Sequence, residues 1–223
     1  MTRSILTVLV LVLLTGPLAV ETPAQEPESR EIGRLMNGLR TRWNEMEGLY
    51  ARFIHTFEWV LAGETRQTRG ELWLSGRDRF RIETGERTLV SDGEVLHDYD
   101  PDQEQVLLND VDPRRGILTQ QQFFAAYTED VDVSWVGEEG RGEEQRVVLD
   151  LDRGAERDPS RVRVWVDPSR LLVTRAEFDD GAGNHHIYSM TELRTGPQPA
   201  ERFTFEVPEG VTVVDMRTPG GRR

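Results

Sequence analysis

The sequence predicts a mainly β protein with helices (α+β), in which one large curved antiparallel sheet carries helices against one face. Three observations predict it. Short stretches of alternating apolar and polar residues recur along most of the 223-residue chain. Turn signals such as Asp92-Gly93, Asp167-Pro168-Ser169 and Asp179 to Gly183 separate them. Two stretches lack this alternation and follow a helical period instead, one near the N-terminus and one in the middle.

The first element is an amphipathic helix from Pro27 to Glu47. Ile32, Leu35, Met36, Leu39, Trp43 and Met46 form its apolar stripe, and Gly48 is placed to end it. A long strand follows from Leu49 to Leu61, with Leu49, Ala51, Phe53, His55, Phe57, Trp59 and Leu61 on one face. Ala62-Gly63-Glu64 makes a turn into a second strand, Thr65 to Ser75. Further strands are expected at Arg79 to Glu83, Arg87 to Ser91, Val95 to Asp100 and Gln103 to Leu108, with Asp92-Gly93 as a hairpin turn. After Asp112-Pro113 the alternation stops, and Ile117, Leu118, Phe123, Phe124 and Tyr127 read as one or two short helices. Strands resume at Val131 to Val136, Arg146 to Leu151, Val162 to Val166, Leu171 to Phe178 and His186 to Leu193. A final segment, Phe203 to Val207, precedes Pro208. The sum is about ten antiparallel strands.

The N-terminus has the layout of a cleavable secretory signal. Arg3 precedes an apolar run from Ile5 to Leu14, Gly16 and Pro17 break it, and Thr22-Pro23-Ala24 supplies small residues for cleavage. The apolar run is shorter than the roughly 20 residues a membrane span needs, so an uncleaved anchor is the weaker of two readings. Residues 1–24 are assigned to the signal and residues 25–223 to a single domain. Removing the first 24 residues takes away one base and one acid, so the formal charge stays at −13. All basic residues are arginine. An acidic surface of this kind disfavours nucleic acid and anionic headgroups and favours basic partners. With no cysteine, the chain has neither a disulfide framework nor a thiol for acylation.

The catalytic inventory is poor, so no enzyme and no cofactor is expected. The chain has no thiol nucleophile, no Gly-x-Ser-x-Gly elbow and no phosphate loop. His185 and His186 lie near Asp179 and Asp180, but adjacent strand residues point to opposite faces and chelate one ion poorly. They read as a solvated hairpin. Asp98, Asp100, Asp102, Asp110 and Asp112 lack the spacing of a calcium loop and read as strand ends. No metal site is assigned.

Five motifs stand in a fixed order: Gly70-Glu71-Leu72-Trp73-Leu74, Phe80-Arg81-Ile82, Ser91-Asp92-Gly93, Tyr99-Asp100-Pro101, and Phe203-Thr204-Phe205 running to Pro208-Glu209-Gly210-Val211. In this order, and behind an export signal, they resemble the LolA-type periplasmic carrier proteins that ferry lipoproteins toward the outer membrane. The resemblance spans about Ile32 to Asp215. It implies an incomplete β-barrel whose concave apolar face is covered by a lid, made of the N-terminal helix and the central helical segment, with acyl chains bound between them. The cleft would be lined by Leu49, Phe53, Leu72, Leu74, Phe80, Ile82 and Leu96, and lidded by Leu35, Leu39, Ile117, Leu118, Phe123 and Phe124. Each of these residues also fits an ordinary dry core, and the resemblance is what favours a cleft.

In the family, the arginine of an Arg-Pro turn latches the lid to the sheet. Here Gly76 takes that position and Arg77 stands beside it, so Arg77 is the candidate latch, with Arg79 and Arg81 equally available. The implied partners are acylated lipoproteins, an inner-membrane lipoprotein-releasing ABC transporter complex and an outer-membrane receptor, with the protein acting as a periplasmic monomer. Two alternatives share the fold: another lipid-binding module, or a regulatory sensor of envelope stress.

Overall fold

The computed structural model describes residues 25–76, 78–111 and 131–217, with side chains from Ser29 onward. Helix α1 spans Gln25–Glu45. Twelve strands follow: β1 Gly48–Trp59, β2 Glu64–Ser75, β3 Arg79–Thr84, β4 Thr88–Asp92, β5 Val95–Asp100, β6 Gln105–Asp110, β7 Asp132–Glu139, β8 Arg146–Asp152, β9 Arg161–Asp167, β10 Leu172–Asp179, β11 His185–Thr195 and β12 Thr212–Asp215. They form one open sheet in the order β12-β6-β5-β4-β3-β2-β1-β11-β10-β9-β8-β7.

Two meanders, β1 to β6 and β7 to β11, are welded by the antiparallel pairing of β1 with β11. Register shifts at Arg52/Phe53, Val173/Arg175 and Trp135/Gly137 bend three of the ladders, because an extra residue on one strand tightens its local twist. Residues 112–130 link β6 to β7, strands near opposite ends of the sheet. Ile117, Leu118, Phe123 and Phe124, the central part of the expected lid, lie outside the described residues, as does Arg77.

Most expected strands are present within a residue or two. Three differences have physical causes. Gly48 opens β1 rather than ending α1: a Cβ there would meet the carbonyl oxygens of Leu74 at 2.6 Å and Gly196 at 2.7 Å, so glycine answers a close approach of three backbones. Leu61 lies beyond the end of β1, in a turn where Ala62 and Gly63 donate their N–H groups to the Trp59 carbonyl. The last strand among the described residues is β12, and it pairs with β6 in parallel, whereas the other pairings described are antiparallel. Four residues at a sheet edge carry too little alternation to register as a strand.

Segment 203–207 packs across the outer face of the sheet, opposite α1. Phe203 is buried at the end of a short 3-10 turn, Ala200–Phe203, with the Arg79 guanidinium 5.6 Å from its ring centre. The Phe205 ring lies 5.4 Å from His97 and 5.7 Å from Tyr99. Arg202 stacks over Trp73 at 4.7 Å, and Arg81 donates to the carbonyls of Arg202 and Thr204. This strap carries the chain from the central strands to the β12 edge, which explains the paired phenylalanines of the Phe203-Thr204-Phe205 motif. It also removes Arg79 and Arg81 as candidate latches, because both serve the face away from the helix. Arg79 additionally donates to Ser75.

Two motifs tie turns together. Ser91 is fully buried and its hydroxyl donates to the Asp78 carbonyl at 2.7 Å. Asp92 accepts the N–H groups of Glu94 and Val95 at 2.8 Å each, an Asx turn that Gly93 completes at φ 102°. Ser91-Asp92-Gly93 thus clamps the β4–β5 hairpin to the β2–β3 turn.

Candidate functional site: the apolar inner face

Alternation along each strand sends one set of side chains to the face beneath α1. Leu49, Ala51 and Phe53 on β1 face Leu74, Leu72 and Gly70 on β2. Leu74 and Leu72 in turn face Phe80 and Ile82 on β3, and Leu96 on β5 continues the row. All seven expected cleft residues belong to a single apolar cluster, and all but Ile82 are buried. The cluster runs on through Tyr188, Ala176, Val164, Leu149 and Leu151 on the second meander. From α1, Met36 and Leu39 are buried in it, and Leu35 and Trp43 pack against it half-buried. Leu39, Trp43 and Met46 line a narrow cleft against Leu171, Leu172 and Val173, and Arg42 donates to Thr195 at 2.9 Å. The helix therefore lies against the sheet.

Gly70 makes room for this surface. The Phe53 ring lies across it, so that a Cβ would stand 2.4 Å from the ring tip and 2.7 Å from the Glu83 carbonyl oxygen. The first position of the Gly-x-Leu-x-Leu motif is thus glycine because an aromatic ring occupies the space of its side chain.

Beyond Phe53 the inner face changes character. His55 stacks on Tyr188 with ring centres 4.2 Å apart and planes 5° from parallel. His186 stacks on Phe178 at 4.9 Å and on His55 at 5.3 Å, and Phe57 tilts against it at 5.0 Å. A polar chain threads these rings: His55 Nε2 is 3.1 Å from His186 Nδ1, and His186 Nε2 is 3.2 Å from Asp180 Oδ2. Burial, aided by the neighbouring His186, holds the His55 pKa down at about 4. Burial likewise pushes the Tyr188 hydroxyl up. Desolvation lifts the Asp180 carboxyl, yet hydrogen bonds from Asn184, His186 and Ala182 outweigh it and hold the group at about 2.

Sequence reasoning placed His185 and His186 on opposite faces, and the structure agrees: His185 contacts Asp179 at 2.7 Å on the other side. The solvated reading fails for His186, whose side chain is largely enclosed. The missed signal is the alternation His186-x-Tyr188 set against His55-x-Phe57, which cross-strand pairing turns into one aromatic block.

One carboxylate intrudes on this face. Asp98 lies within β5, between Leu89 and Leu107 on the adjacent strands, and not at a strand end. Arg87 Nε donates to its Oδ1 at 2.6 Å. Burial outweighs this partner and pushes the Asp98 carboxyl above its ordinary value. Arg87→Ala is expected to lower stability by about 1–2 kcal/mol, discounted because the arginine is half exposed. Asp98→Asn in the same background should recover most of the loss in urea unfolding. Among the described residues, no cluster of three metal-ligating side chains is present, and no helix is long and apolar enough to cross a membrane.

The architecture is one open sheet with a helix laid on its apolar inner face. The model of the family described as outer membrane lipoprotein carrier protein LolA matches residues 44–206, and the chain belongs to that family. An outer-membrane lipoprotein carrier protein of Sodalis glossinidius is 26% identical over 184 residues, covering 80% of this chain and 87% of its own. A protein of the same description from Legionella pneumophila (strain Corby) is 28% identical over 185 residues, covering 79% and 87%. A solved structure of an uncharacterized conserved protein from Thermus thermophilus superposes with a TM-score of 0.55 at 12% identity, over 83% of this chain and 99% of that one. That last likeness concerns the fold alone.

Proposed function

We propose that this protein is a periplasmic carrier that shelters the acyl chains of lipoproteins against its inner face and passes them toward the outer membrane. The observation that carries the reading is the unbroken apolar surface from Leu49 and Leu74 through Phe53, Phe80 and Leu96, in a sheet that does not close. Family membership supplies the class of cargo. Each methylene moved from water onto such a surface gains about 0.8 kcal/mol, so acyl chains have a strong reason to leave water for it. An unclosed sheet needs only a displaced helix to admit them. On this reading Leu35 and Leu39 of α1 form one half of the lid, with Ile117, Leu118, Phe123 and Phe124 as the other half and Arg77 as its latch. An inner-membrane lipoprotein-releasing ABC transporter complex loads the carrier, and an outer-membrane receptor accepts the cargo.

Native mass spectrometry of the protein purified from the periplasm tests the reading. Acylated protein or acyl lipid should be recovered with the wild type. It should be lost from Ile82→Glu, which puts a charge at a half-buried position of the inner face, where a hydrocarbon chain would have to strip it of water. A wild type that carries no acyl material and captures no lipoprotein would sink the proposal.

A further inference from the structure

At the far end of the inner face, β1 and β2 extend as a hairpin past their neighbour. β3 pairs with β2 only from Gly70 to Ser75, which leaves Glu64 to Arg69 without a strand partner on that side among the described residues. The tip is apolar: Trp59 is 48% exposed, Val60 61% and Leu61 87%. These are consecutive residues in a turn made firm by the two N–H bonds to the Trp59 carbonyl and by Gly63 at φ 66°. The other exposed large apolar residues, Val136, Val207, Val213 and Met216, are not consecutive in the chain, whereas leucine, valine and tryptophan stand side by side in solvent only at this tip among the described residues. Trp59 also falls on the same side of β1 as Phe57, His55 and Phe53, so the tip is the outward end of the aromatic block on the inner face.

From this placement we infer that the Trp59-Val60-Leu61 tip is a membrane-contacting element, which dips into the headgroup and acyl boundary of a bilayer with little net charge. Three features select this occupant. A specific protein interface needs on the order of 800 Å² from each partner, more than three side chains supply, whereas insertion into a bilayer boundary requires no matching surface. Tryptophan beside aliphatic residues is the composition that settles at that boundary. The residues flanking the tip are acidic, Glu58 on β1 and Glu64 on β2, and the nearby Arg66 is paired with Glu86. Glu58 and Glu64 would repel an anionic membrane, and they would equally repel the same tip on a second copy of the chain. The inference does not depend on what the inner face carries.

Co-sedimentation with vesicles tests it, using phosphatidylcholine alone and phosphatidylcholine mixed with phosphatidylglycerol. The wild type should pellet with phosphatidylcholine vesicles. Leu61→Asp, at a position too exposed to disturb the fold, should reduce partitioning about tenfold or more, while Leu61→Ile should retain it. Because every variant keeps the same N-terminus, the difference reports the tip. Anionic lipid should weaken binding at low salt, and added salt should restore it. Absence of wild-type binding, equal partitioning of Leu61→Asp, or tighter binding to the anionic vesicles would each overturn the inference. So would a dimer in sedimentation velocity that Leu61→Asp dissolves.

Discussion

Gly70→Ala is expected to destabilise the protein by about 1–3 kcal/mol, the usual cost of forcing an extra carbon into a packed interior. The added Cβ would meet the Phe53 ring at 2.4 Å and the Glu83 carbonyl oxygen at 2.7 Å. The ring can swing away, but only by vacating its place in the apolar row. The carbonyl belongs to the β2–β3 ladder and can move only if that ladder opens. Thermal unfolding should show a drop of several degrees. Combining Gly70→Ala with Phe53→Leu separates the two contacts: if the ring is the main obstacle, the double variant loses less than the sum of the single losses. Strict additivity would place the cost in the carbonyl contact alone. On the proposed function, Gly70→Ala also reduces recovered acyl cargo, since Phe53 leaves the inner face.

Lowering the pH from 7 to about 4.5 is expected to cost stability through His55. Its folded pKa of about 4 lies below the ordinary 6.5, so between these values the unfolded chain binds a proton that the folded chain refuses, and unfolding gains. The contribution is intact above 6.5 and is lost as pH falls toward 4. At full weight the shift corresponds to about 3 kcal/mol. Because the ring is partly open to solvent, about 1–2 kcal/mol is the realistic loss. The Asp180 carboxyl, held at about 2, titrates below this window. His55→Phe keeps the stacking on Tyr188 and removes the titrating group. Its denaturant midpoint should fall less than that of the wild type across the same interval. Parallel curves for the two proteins would show that His55 is not the group responsible.

Both experiments probe positions whose residue type was readable in the chain but whose reason was not. The alternation of Leu49, Ala51 and Phe53, and of Leu72 and Leu74, announced strands with one greasy face, because period two is a local property of extended backbone. The amphipathic stripe from Ile32 to Met46 announced the helix in the same way. The seven expected cleft residues converge on one surface for that reason, and the motif order was specific enough to indicate the family. What local pattern could not reach was contact across the sheet. Gly48 and Gly70 are glycines because other segments approach them closely. Arg79 and Arg81 were free to face either way until the strap at Phe203 claimed them. His186 read as a hairpin residue until pairing of β1 with β11 stacked it on His55.

The sequence by itself determined the mainly β class, the helix, the greasy side of each strand and the family, since all of these follow from residue periodicity and motif order. Only the tertiary structure decided that β1 pairs with β11 and so joins two meanders into one face. It likewise decided that the C-terminal strap covers the outer face, and that Trp59, Val60 and Leu61 stand in solvent rather than in the core. The physical reason is that burial depends on which strand lies alongside. β1 continues past the point where β3 ends, so an apolar run that elsewhere enters the core emerges there as an exposed tip.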